Sequence, residues 1–245
     1  MGIIKFNGIS SEDLGITIQF IPSYTFPEKE YQTVSIPGRN GDLVIDNGSF
    51  KNVERTYSIA KIFKKGEKFV SMASAIASWL YSANGYARLE DSYEPDFYRM
   101  AIYKSDGSLS NYYDIATVLE VTFECKPERW LISGEKYVAM NSNDGIQNPT
   151  RFDSLPVITF TTIANEDTTI NIEGTEIKIK RFDESKNLVI DCENMECYSD
   201  DDKSTYNSHV VLTNNEFPKL KGNKRNIVTY TNATNFKIQP RWWTL

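Results

Sequence analysis

Histidine is almost absent from this chain: a single residue, His209, stands among 245. That count excludes metal centres built on several imidazoles, and any Ser-His-Asp triad would have to use this one ring. His209 sits beside Val210-Val211-Leu212 at an expected strand start, so a structural or solvent-facing ring is the expectation. Cysteine is scarce too. Cys125, Cys192 and Cys197 form an odd set with no CxxC pair, and reduced, packed thiols are expected. Neither a P-loop nor GxGxxG occurs, which removes the usual nucleotide signatures. No apolar run approaches the roughly 20 residues of a membrane-spanning helix. Residues 1–8 lack the basic start and apolar stretch of a secretory leader, and Phe6 stands where a myristoylation signal has Ser or Thr, so synthesis and folding in a cytoplasm are expected. A basic excess is also missing. With 27 Lys and Arg against 33 Asp and Glu, the formal net charge of -6 argues against the whole surface binding duplex nucleic acid.

What is present is aromatic and turn-rich. The 14 Tyr and 13 Phe favour β structure, where flat rings pack on pleated surfaces, and 40% hydrophobic with 24% charged residues is a globular balance. The length suits one large or two ordinary domains. The densest turn chemistry lies in Val34-Ser35-Ile36-Pro37-Gly38-Arg39-Asn40-Gly41-Asp42-Leu43-Val44-Ile45. Pro37 sets its own φ, Gly38 and Gly41 accept positive φ, and Asn40-Gly41 favours a tight reversal, so a projecting β-hairpin is expected here. Residues 21–33, with Pro22 and Pro27, read as a connection into it. Asp46-Asn47-Gly48 reads as a second turn, followed by a strand in which Val53, Arg55, Tyr57 and Ile59 alternate with polar neighbours.

Upstream, Ile4 and Phe6, then Ile16, Ile18 and Phe20, alternate as strands around Asn7-Gly8. One helix is expected between about 66 and 84, because Phe69, Met72, Ala73, Ile76 and Leu80 share a stripe, with Trp79 on its flank and Asn84-Gly85 as a stop. Strands follow at 86–89 and 98–103, and Asp106-Gly107 reads as a turn. Leu119, Val121, Phe123 and Cys125 then alternate with Glu120, Thr122 and Glu124 until Pro127, which is expected to end the strand. Residues 128–150 are polar and turn-rich and suit a boundary, dividing the chain into 1–133 and 134–245. Short strands at Val157–Thr162, Thr168–Ile172, 176–180, 188–192, Val210–Leu212, 227–230 and 236–238, with no helical stripe, indicate a β-sandwich or jelly roll.

Chemistry is thin. Asp200-Asp201-Asp202, near Asp191, Glu193 and Glu196, is oxygen-rich, but it lacks the glycine and closing glutamate of a calcium loop, so a solvated loop is expected and no metal or cofactor. Glu120 and Glu124 would be a glycosidase pair only by the alternation any strand shows.

Several phrases, taken in order, resemble the distal tail proteins of long-tailed, non-contractile bacteriophages. They are Ile36-Pro37-Gly38-Arg39-Asn40-Gly41-Asp42-Leu43, Phe123-Glu124-Cys125-Lys126-Pro127, Asn148-Pro149 with Leu155-Pro156-Val157-Ile158, Phe217-Pro218-Lys219-Leu220-Lys221-Gly222-Asn223, and Gln239-Pro240-Arg241-Trp242-Trp243. The resemblance implies a mainly β chain without catalytic activity. Its first domain would be an α+β sandwich with one helix and the hairpin, and its second a galectin-like β-sandwich. It also implies a homohexameric ring at the virion tail tip, assembled in the host cytoplasm. The first domains would line a channel for DNA and the second would carry adhesion components. Expected partners are further copies of the chain, the tail tube protein, a tail-associated lysin or tail-fibre hub, and a receptor-binding protein. No stable nucleic-acid binding and no membrane insertion are expected, and six copies at -6 each make a neutral or acidic channel wall the expectation. On this reading Pro37, Gly38, Arg39, Asn40 and Gly41 make ring or tube contacts. The competing reading is a carbohydrate-binding module, since galectin-like sandwiches are often lectins and Tyr198, Trp242 or Trp243 could stack on sugars. A glycan-processing enzyme is a third.

Overall fold

The structure is a computed structural model that describes residues 2–104, 109–113 and 115–245. The expected turn at Asp106-Gly107 lies outside the described residues. Contacts group the chain into two units, one reaching Arg129 and including Leu245, the other Trp130–Thr244.

In the first unit the strands are β1 (Ile4–Phe6), β2 (Ile9–Ser10), β3 (Ile16–Ile18), β4 (Lys29–Val34), β5 (Leu43–Phe50), β6 (Val53–Ile62), β7 (Ala87–Asp91), β8 (Phe97–Tyr103), β9 (Ser110–Tyr112) and β10 (Ala116–Leu131), with helix α1 at Phe69–Leu80. The main sheet runs β2-β1-β7-β8-β10-β6-β3, and β9 adds to β10. Alternation decides its inner face. Val53, Tyr57 and Ile59 of β6, and Leu119, Val121, Phe123 and Cys125 of β10, are buried. Phe123 is the hub, with the rings of Phe6, Tyr103 and Tyr57 at 4.8, 6.0 and 6.1 Å. Helix α1 closes this core with Ile76, Trp79 and Leu80. Its bounds are those of the expected stripe, ending where Tyr81 takes a non-helical backbone, and Trp79 is buried rather than flanking.

β10 does not stop at Pro127. Its pairing with β6 ends at Cys125↔Val53, so Pro127 lies past the end of that partner, where a missing N–H breaks no β6 ladder bond. Phe20 does not continue the alternation of Ile16 and Ile18 either; β3 ends at Ile18 and Phe20 is exposed.

The second unit holds β11 (Val138–Ala139), β12 (Asp144–Gln147), β13 (Val157–Thr162), β14 (Thr168–Ile172), β15 (Thr175–Ile179), β16 (Asn187–Asp191), β17 (Glu196–Ser199), β18 (Val210–Leu212), β19 (Arg225–Thr231), β20 (Ala233–Gln239) and β21 (Trp243–Thr244). Two five-stranded sheets, β11-β20-β13-β16-β17 and β12-β19-β14-β15-β18, share one core of Ile158, Phe160, Ile170, Ile177, Val228 and Phe236 among others. Residues 128–150 are therefore not a free boundary passage. They supply the end of β10 and two sheet-edge strands, β11 and β12. Close approaches explain two glycines: a Cβ on Gly222 would stand 2.1 Å from the Arg151 carbonyl oxygen, and one on Gly134 2.4 Å from the Trp242 nitrogen. Buried Asn148 and Asn226 pin the same loops, Asn148 donating to the Phe152 and Leu220 carbonyls and Asn226 to those of Lys221 and Lys224.

All three thiols are buried and free, and burial pushes Cys125 and Cys197 up to about 12 and Cys192 up as well. They are packing residues that stay protonated at neutral pH.

Candidate assembly surface

β4 and β5 pair with each other alone, as a two-stranded ribbon separate from the main sheet. The pairs Val34↔Leu43, Thr33↔Val44, Gln32↔Ile45 and Tyr31↔Asp46 set its register. β4 thus occupies part of the stretch expected to be a plain connection. Asp46-Asn47-Gly48 is no turn. It lies inside β5, where Gly48 has φ +75° and the register shifts between Lys29 and Tyr31, so these residues form an irregularity in the strand. The Asp46 carboxylate accepts from Lys29 and from the Gly48 N–H, and these two hydrogen bonds hold it below the usual carboxylate range.

Residues 35–42 form the tip. The Ile36 carbonyl accepts the Arg39 N–H at 3.1 Å, and Gly38 has φ +79°, the arrangement of a type II turn with Pro37 leading. The chain therefore reverses through a longer loop at Pro37-Gly38, not through a tight Asn40-Gly41 hairpin.

Every residue from 31 to 48 is exposed. Paired residues of an antiparallel ribbon share a face, so Val34, Leu43 and Ile45 line one side, and Tyr31 and Val44 the other. Tyr31 is 54% exposed, Val44 59% and Ile45 45%. A two-stranded ribbon is marginal in water by itself, and burying each of these side chains is worth about 1.5–3 kcal/mol. Apolar exposure on both faces makes the arm a candidate interaction surface.

The root of the arm is held by buried charge. Arg55 donates from Nη1 to the Ser23 carbonyl at 3.1 Å and from Nη2 to Asp91 at 3.1 Å, with Glu94 at 3.4 Å. Tyr57 donates its hydroxyl to Asp91 at 2.7 Å. Glu94 also binds Arg99 at 3.2 Å and Arg129 at 2.7 Å. Arg129 in turn lies 4.8 Å from the Tyr24 ring. Burial alone would lower the Arg55 guanidinium, but Tyr57, Asp91 and Glu94 outweigh it and the net direction is up. Burial, then Asp91, pushes the Tyr57 phenol well above its usual range. On either side of the clamped Ser23 the chain presents Ile21 and Phe26, 77% and 81% exposed. A further apolar patch of the same unit gathers Ile62, Tyr112, Tyr113 and Ile115, where β6, β9 and β10 meet.

The remaining singled-out residues have structural places. Trp242 is buried in the second core, so it offers no free ring face for a sugar. Trp243 stacks on Phe152 at 4.4 Å and donates from Nε1 to the Asp153 carbonyl. Tyr198 is half-buried on β17 beneath the Lys203 ammonium. His209 stacks on Phe182 at 4.5 Å. Asp200 pairs with Lys203, Asp202 accepts the Ser204 N–H, and Asp191 is bound by Arg241. Glu124 pairs with Lys104. Among the described residues no group of three His, Cys, Asp or Glu is placed to hold a metal. The Arg55 cluster was visible only indirectly: an arginine at an inward position of an alternating strand demands buried carboxylates, but spacing does not say which.

Among the described residues the chain is mainly β with one α-helix and a separate two-stranded ribbon, and comparison with solved structures finds the same fold in a phage distal tail (Dit) protein. The chain is similar to the Dit protein (gp 19.1) of phage SPP1, described as a paradigm of the hub adsorption apparatus in phages infecting Gram-positive bacteria. The TM-score is 0.77 at 11% identity, covering 100% of both chains. It is also similar to chains of the phage p2 baseplate in its activated conformation with strontium and with calcium, at TM-scores of 0.55 and 0.56, 9% and 8% identity, and 97% of each chain. At such identities the likeness establishes the Dit fold. No family model and no curated relative matches the chain.

Proposed function

We propose that the chain is a structural hub of a phage tail tip, closing into a homohexameric ring that joins the tail tube to adhesion components and lets DNA pass, with no catalytic activity. The observation that carries this reading is the arm, a two-stranded ribbon with apolar side chains on both faces, on a chain with the Dit fold. A head-to-tail ring requires two different surfaces per copy, and the first unit offers the arm and the patch of Ile62, Tyr112, Tyr113 and Ile115. The tail tube protein, a tail-associated lysin or fibre hub and a receptor-binding protein are the partners of this reading, and the second unit, a galectin-like sandwich, is their carrier.

Native mass spectrometry of Val44→Asp/Ile45→Asp and of Arg39→Ala/Asn40→Ala tests it. The first pair is expected to abolish the assembly and the second to weaken it. Assembly unchanged in both would remove the arm from the interface and the proposal with it.

A further inference from the structure

One end of the second unit's sandwich carries an open recess of about 670 Å³, within the roughly 300–1,000 Å³ of small-ligand sites. It forms where the loop between β13 and β14, the end of β15, the entry to β18 and the turn between β19 and β20 come together. The wall is tied before any ligand arrives. Asp167 accepts the Arg181 N–H at 2.9 Å and pairs with Lys178 at 2.8 Å. Its carbonyl accepts from the Asn232 side chain at 2.9 Å, and the His209 carbonyl accepts the Lys180 N–H at 2.9 Å. The Asn165 N–H donates to the Phe182 carbonyl at 2.7 Å, and Phe182 also backs the His209 ring.

This framework consumes Asp167, whose charge is matched by Lys178. The Arg181 charge also acts on Asp167, and among the described residues the side-chain heads of Lys180, Glu166 and Asn165 have no partner. Lys178, Lys180 and Arg181 against Asp167 and Glu166 leave a positive excess at the recess, which in a chain of net charge -6 favours an anion. The carboxylate, carboxamide and imidazole beside them suit hydroxyl groups.

We propose that this recess binds an anionic saccharide unit, a sugar bearing a carboxylate or a phosphate, with Lys180 and Arg181 on the charged group and Asn165, Glu166 and His209 on hydroxyls. None of Tyr198, Trp242 and Trp243 lines it. The proposal stands independently of the ring.

Ligand-observed saturation-transfer NMR on the full chain tests it, with glucuronate, glucose 6-phosphate and glucose as probes and inorganic phosphate, which has no carbon-bound proton to observe, as a competitor. At least one acidic sugar is expected to bind with a dissociation constant on the order of 1 mM, the scale a ligand of that size allows. Lys180→Ala/Arg181→Ala is expected to weaken it about tenfold. Glu166→Gln should weaken the acidic sugar relative to inorganic phosphate, whose binding the loss of a nearby negative charge can only favour, and Lys237→Ala, which removes a cation elsewhere, should change nothing. No binding of either acidic sugar, glucose binding as tightly, or a double variant with full affinity would overturn the proposal. So would inorganic phosphate matching glucose 6-phosphate while Glu166→Gln stays silent.

Discussion

The guanidinium of Arg55 lies 3.1 Å from the carboxylate of Asp91, and both side chains are almost wholly withdrawn from water. The same guanidinium holds the Ser23 carbonyl, so an ion pair inside the first unit fixes the segment from which the arm departs. Burying charge is costly unless it is paired and hydrogen-bonded, and here Tyr57, Glu94, Arg99 and Arg129 complete the set.

Removing one partner should therefore be expensive. Arg55→Ala is expected to destabilise the first unit by about 3–5 kcal/mol, because Asp91 is left buried without its main counter-charge. Arg55→Lys should recover only part of this, since an ammonium cannot span Ser23 and Asp91 as a fork does. Urea denaturation of the two variants measures it; a loss under about 1 kcal/mol for Arg55→Ala would mean the clamp contributes little.

In the second unit, Asp191 gives a pH signature. Burial would raise its carboxyl, but the Arg241 hydrogen bonds and the N–H groups of Asn194 and Glu193 outweigh that and hold it below the usual range. A carboxylate depressed in the folded state contributes stability that is fully present above its unfolded pKa of about 4 and is lost as pH falls through the folded value. Asp191→Asn is accordingly expected to lower stability at pH 7 and to flatten its decline below about pH 4. Thermal melts across that range check both halves.

Gly222 should tolerate no side chain. A Cβ would meet the Arg151 carbonyl oxygen at 2.1 Å, and backbone cannot swing aside as a flexible side chain can. Gly222→Ala is expected to cost about 1–3 kcal/mol by overpacking, read by calorimetry as a lowered melting temperature of the second unit.

The proposed ring, with a channel wall that is neutral or acidic, should not retain DNA. Electrophoretic mobility of a short duplex at physiological salt is expected to be unchanged by the purified chain, whereas a stable, steeply salt-sensitive complex would indicate a lysine- and arginine-lined lumen.

Much of this molecule was legible before its structure. Period-two alternation placed β6, β10 and the central strands of the second unit, because those strands bury one face and leave the other wet. Where that contrast fails, the reading failed too. β4 and β5 are exposed on both faces, so β4 looked like a connection and Asp46-Asn47-Gly48 like a turn. β11 and β12 are edge strands of only two and four residues, too short for an alternation to show, and nothing local separates them from loop. Pro127 misled because its effect depends on whether a partner strand stands opposite, which is a tertiary fact. The candidate surface was half visible: the turn residues of the tip marked the arm, but the Arg55 clamp at its root joins positions far apart in the chain.

The mass of the purified chain in solution tests the central claim most directly. Mass photometry should show a species of six times the monomer mass that collapses when both arm faces are made charged; a particle that stays monomeric at every concentration, with the arm intact and folded, would contradict it.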